Sequence, residues 1–171
     1  MPSGFVHDII NLTFIIFASL LYFFLPYDYY PFFLLGFTFS TFLLSPDLDL
    51  SYSKVSKRWG ILKIFLYPYF FLSSHRGISH AFILGTLIRY FYLILLLLFF
   101  LSIYIYFGKK SLDLSFLNVL KHYMLIYKYH ILFFLLGGVV ADTIHIILDR
   151  ICSYEKKIYV RKLNVKNYRK F

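Results

Sequence analysis

The chain contains a single cysteine, Cys152, among 171 residues. That excludes an internal disulfide and a cysteine-based metal site. Its one glutamate, Glu155, lies in a basic stretch near the end and makes a poor general base. No GxSxG elbow, Walker P-loop or dinucleotide fingerprint occurs, so those signatures of hydrolase and nucleotide chemistry are missing. HRGISH at residues 75–80 is not the HExxH of a zinc protease. The opening MPSGFVHDII has neither a basic leading region nor a clear small-residue cleavage site, and does not read as a removed signal peptide. There is no internal repeat and no low-complexity linker.

What is present is apolar. Hydrophobic residues make up 60% of the chain and aromatics 23%, with a mean hydropathy of +0.71. Soluble domains use ~45–50% apolar residues, and one core of this size could not hide the surplus. Net charge is +10, unevenly placed. Residues 1–53 hold four aspartates and no lysine or arginine; residues 54–171 hold all eighteen bases and four acids. The segment EKKIYVRKLNVKNYRKF at 155–171 is a basic tail. After a greasy segment such a tail marks the cytoplasmic membrane face rather than nucleic-acid binding. Membrane lipid is therefore the expected partner, nucleic acid is not, and the sequence names no protein partner.

The fold class that follows is all-α, a small polytopic membrane helical bundle. About four spans are expected, at residues 9–25, 29–45, 81–107 and 129–148. Residues 61–72 are apolar but run only about three helical turns, broken by Lys63 and Pro68. They read as a short interfacial or re-entrant helix. Ser45 is placed to cap a new helix, with Pro46 at its first position. Gly137 and Gly138 would permit close helix approach. Residues 1–150 form the membrane-embedded domain and residues 151–171 the basic tail. Four spans put both termini on one side. Thirteen of the eighteen bases fall on that side or its boundary, making it the cytoplasmic face of the inner (plasma) membrane.

The unusual polar residues gather on this map. His7 precedes the first span; Asp47 and Asp49 follow the second; His75 and His80 precede the third. Asp142, His145 and Asp149 occupy the last half of the fourth, at i, i+3 and i+7 of one helix face. All reach the same membrane face from four separate segments. Ionisable groups at such a boundary pair, bind ions or line a path. Asp142 could pair with Arg89, and HRGISH could be a polar helix start with Arg76 at the headgroups. Together, though, imidazole nitrogens and carboxylate oxygens suit a divalent metal ion, zinc or manganese first and iron next. The expected ligands are His7, Asp47, Asp49, His75, His80, Asp142, His145 and Asp149. Two ions bridged by an aspartate would activate water and stabilise a transferring phosphoryl or acyl group, with Arg76 clamping an anionic oxygen. Arg76 and Asp49 are the candidate catalytic residues.

The ordered pieces MPSGFVHD, FLLSPDLD, RWG, PYFFLSSHRGISH and ADTIHIILD, covering Met1 to about Arg150, resemble a family of uncharacterised, predicted metal-binding membrane proteins. That family looks related to predicted membrane-bound metal-dependent hydrolases. The resemblance implies a small multi-helix membrane protein with His and Asp ligands, the family-like positions being His7, Asp47, Asp49, His75, Arg76, His80, Asp142, His145 and Asp149. It implies metal binding more strongly than catalysis. The leading expectation is a metal-dependent hydrolase of phosphoester or lipid substrates. The alternative is a non-catalytic membrane metal-binding or structural protein.

Overall fold

A computed structural model describes residues 4–73, 81–108 and 114–168. The chain is all-α. Helices α1 (Gly4–Ser19), α2 (Tyr30–Phe39), α3 (Lys54–Arg58), α4 (Tyr67–Leu72), α5 (Phe82–Phe107), α6 (Leu114–Ile126) and α7 (Lys128–Tyr168) follow in order. Among the described residues, three helical segments are long and apolar enough to cross a membrane: Tyr30–Asp49, Phe82–Phe107 and Lys128–Glu155. Helix α1 is 16 residues and is extended by a 3-10 turn over Leu20–Phe23. Gly60–Leu72 is apolar but short, as expected of a segment that does not span. Helix α7 runs unbroken for 41 residues, about 60 Å at 1.5 Å per residue, so the basic tail continues a spanning helix through Tyr168.

Helices α2 and α7 form the centre of the bundle, and two glycines set their distance. A Cβ on Gly36 would lie 1.8 Å from the Phe134 carbonyl oxygen, and one on Gly137 would lie 2.0 Å from that of Phe33. The two backbones touch, which a side chain at either place would forbid. Gly138 in turn leaves room for the Tyr90 ring of α5.

Helix α2 does not end in a regular turn. Ser40–Leu44 form a π-helical turn, and Thr41 Oγ1 bonds back to the Phe37 carbonyl at 2.9 Å. Such back-bonding loosens a helix, and π-turns recur at functional sites. Ser45 then takes an extended conformation before Pro46, which begins a 3-10 turn over Pro46–Asp49, as the residue before proline is pushed to do. The carbonyls left at the end of the π-turn are claimed by α3 and its flank. Trp59 Nε1 donates to Leu43 O at 3.0 Å and Arg58 to Phe42 O at 3.2 Å. Ser53 caps α3 by accepting from the Ser56 amide at 3.1 Å. A left-handed Gly60, φ 53°, turns the chain onward.

The apolar core joins these pieces: Leu44, Leu48, Val55, Leu66, Tyr69 and Tyr90 are buried together, with Trp59 and Phe134 against them. The Tyr92 hydroxyl donates to Phe65 O, fastening the segment 60–66 to α5. The 46–49 turn is thereby held from three sides, and it carries two aspartates to the flank of α7.

Candidate metal centre

The polar stripe of α7 serves two separate centres. Asp142, 2% exposed, lies between α2 and α5. Its Oδ1 accepts from Ser40 Oγ at 2.6 Å, and its Oδ2 from Thr86 Oγ1 at 2.6 Å and from the Arg89 guanidinium at 2.5 Å. Both oxygens are engaged, by three side chains from two elements, the π-turn and α5. A charge inside a membrane protein is tolerated when it is paired in this way. Asp142 therefore sits in the pairing with Arg89, and the two hydroxyls complete its bonding. Tyr69 interacts with the same guanidinium.

One turn further on, His145 faces a different set. Its Nε2 lies 3.6 Å from Asp47 Oδ1 and 3.9 Å from Asp149 Oδ2. His145 and Asp149 share one face of α7 at i, i+4, and Asp47 comes from the 46–49 turn. One ligand atom from each of the three residues lies within 4.8 Å of the others. Zinc–nitrogen and zinc–oxygen distances of about 2.0–2.2 Å place neighbouring tetrahedral ligands about 3.3–3.6 Å apart. The two histidine–carboxylate distances are at that value or a few tenths of an ångström above it. One imidazole and two carboxylates also have the right chemistry for a divalent first-row ion. His145 is 2% exposed at its side chain and Asp47 18%, so the cluster is buried on α7 and opens at the loop.

Asp49 is buried at the end of the same 3-10 turn, outside that cluster. His7 lies in α1, its side chain beyond the described residues. His75, Arg76 and His80 also lie outside the described residues. Ser45 does not cap the 3-10 turn as expected. Its hydroxyl faces α7 instead and lies 3.4 Å from His145 Nδ1. Ser40 and Thr86 carried no signal in the sequence, since hydroxyls are common in apolar helices, and Ser45 signalled only a cap. Asn11 did carry one: an amide in the middle of a greasy run. It is buried, and its Nδ2 donates to Thr41 Oγ1 at 3.3 Å, tying α1 to the π-turn.

A family model described as "Uncharacterized metal-binding protein (DUF2227)" matches residues 2–159. The chain belongs to this family. Its description names metal binding and no reaction. An uncharacterized protein of Aquifex aeolicus (strain VF5) is 40% identical over 140 residues, covering 77% of this chain and 97% of that protein. No solved structure matches. The family and the buried Asp/His cluster agree on metal binding in a membrane protein, and neither carries a hydrolase signature.

Proposed function

We propose that the protein is a multi-pass membrane protein that binds a divalent metal ion, zinc or manganese, through Asp47, His145 and Asp149. The observation that carries this reading is the meeting of those ligand atoms within 4.8 Å at a buried position, in a member of a metal-binding family. The metal would tie the turn after α2 to α7, a structural role. His7, His75 and His80 are the proposed additional ligands, and Asp142 is assigned to the ion pair. With α1 and its 3-10 extension, Gly4–Phe23, as a fourth crossing beside the three longer segments, both termini and the centre are proposed to face the cytoplasm at the inner (plasma) membrane, on the side rich in lysine and arginine.

The test is metal analysis of purified protein. Wild type should retain close to one equivalent or more of transition metal, and Asp47→Ala, His145→Ala and Asp149→Ala should each lose most of it. Unchanged metal content in all three variants defeats the proposal.

Hydrolysis of a phosphoester or lipid is a second reading, favoured by one observation: the cluster is partly open at Asp47. In this reading Asp47, His145 and Asp149 are the whole protein ligand set, without the added histidines; three protein ligands leave a coordination position for water, and a bound ion would supply Lewis acidity there. In that reading Asp49 and Arg76 act on the substrate, Arg76 by holding an anionic oxygen. Metal-dependent release of product from phospholipids or phosphoesters, lost in Arg76→Ala, supports it. No turnover by metal-replete protein leaves the structural role standing alone.

A further inference from the structure

Ser45 is buried, 3% exposed, at the junction between the π-turn and Pro46. Its place in the sequence suits a helix cap, yet its side chain makes no capping bond. With φ −50° and ψ 153° it is extended, and its hydroxyl meets His145 Nδ1 at 3.4 Å. The other ring nitrogen, Nε2, is the one turned to Asp47 and Asp149. The two nitrogens of one imidazole thus serve two different neighbours.

A neutral imidazole carries one proton and one lone pair. Nε2 can bind a cation only when the proton sits on Nδ1, and that N–H then needs an acceptor. Buried on α7, it cannot rely on bulk water, and a hydroxyl oxygen can accept. Metal-bound histidines commonly donate their second N–H in this way, which fixes the tautomer and the ring orientation.

We infer that Ser45 is a positioning residue for the metal centre. It accepts a hydrogen bond from His145 Nδ1–H and so presents the Nε2 lone pair to a divalent cation between Asp47 and Asp149. The inference deepens the metal-binding proposal and rests on it. It also explains the local backbone: the π-turn and Pro46 together turn residue 45 inward, where a regular helix end would spend the hydroxyl on its own amides.

The test compares Ser45→Thr with Ser45→Val. These two side chains have the same shape, and only threonine keeps a hydroxyl, so any crowding by the added methyl is common to both. Zinc affinity, measured by competition with a chromophoric chelator on detergent-solubilised full-length protein, should be about 10–100-fold weaker in the valine variant than in the threonine variant. In zinc-loaded, nitrogen-15-labelled wild type, His145 should bind through Nε2, and its Nδ1–H proton should be slow to exchange. The threonine variant should keep that slow exchange and the valine variant should lose it. Equal affinities in folded threonine and valine variants overturn the inference. So does wild-type coordination through Nδ1, a measurement that does not depend on either variant folding. If wild type binds no zinc or manganese at all, the metal-binding proposal itself has failed, an outcome separate from these.

Discussion

The division of the α7 stripe into two centres makes a sharp prediction about Asp142→Ala. The substitution removes the carboxylate that receives Ser40, Thr86 and Arg89. Arg89 is 1% exposed, so its charge is left buried without that carboxylate. Breaking a buried pair from one side costs about 3–5 kcal/mol. The two orphaned hydroxyls can turn to backbone carbonyls of their own helices and should add less. Replacing both charged partners, in Arg89→Met with Asp142→Leu, removes the stranded charge and should restore at least half of the loss. The single variant, the double variant and wild type would be unfolded in mixed micelles with increasing denaturing detergent. Their metal content would be read by mass spectrometry on the folded fraction. The expected result is a large destabilisation of the single variant, recovery in the double variant, and metal binding retained in the folded double variant. A folded double variant that holds no metal would show that Asp142 is a ligand and refute the division. Should Asp142→Ala not fold at all, the double variant alone still decides the matter.

Other outcomes follow from the same geometry. Chelation should lower the stability of wild type by about 3 kcal/mol when the removed ion had been present at 100 times its dissociation constant, and should leave His145→Ala unmoved in the same unfolding assay. Gly36→Ala and Gly137→Ala, whose new Cβ atoms would overlap backbone at 1.8 and 2.0 Å, should each cost more than about 3 kcal/mol or abolish folding, overpacking against backbone being the hard case. Gly60→Ala has open space around it and only a left-handed backbone to strain, so about 1–2 kcal/mol is expected. A thermal or detergent melt in which Gly60→Ala unfolds more readily than the other two would contradict the close crossing of α2 and α7. Trp59→Phe should lose the bond to Leu43 O and about 1 kcal/mol. Fusing reporters to both ends should find them on the same side of the membrane, and opposite sides would remove the orientation proposed above.

Much of this arrangement was legible in the residues, and the illegible part has a physical cause. Long apolar runs, interrupted by Arg89 in one and by Asp142 and His145 in the other, marked α5 and α7, because length and apolarity are what a spanning helix needs. Gly137 announced a close crossing; its counterpart Gly36 went unread. The spacing of Asp142, His145 and Asp149 correctly put all three on one side of α7, but a stripe of that kind says nothing about how many neighbours face it. The neighbours divide it: Ser40, Thr86 and Arg89 take the first carboxylate, Asp47 meets the other two residues. Ser45 was misread for a related reason. A regular helix end would use its hydroxyl locally, and the π-turn before it changes where residue 45 points by accommodating an extra residue in the winding. Nothing in FTFSTFLLSP says where its hydroxyls go, since the partners of Ser40 and Ser45, Asp142 and His145, lie about a hundred positions away.

The glycine crossing of α2 and α7 acts as a fulcrum. Gly137 and His145 are separated by eight residues of helix, a lever arm of about 12 Å. A change of ~10° in the angle between the helices would move the far end by about 2 Å, enough to open or close the 3.6 Å gap between Asp47 and His145. The distance between those two ligands therefore reports how the helices cross, and anything that grips them together also fixes the angle of the bundle.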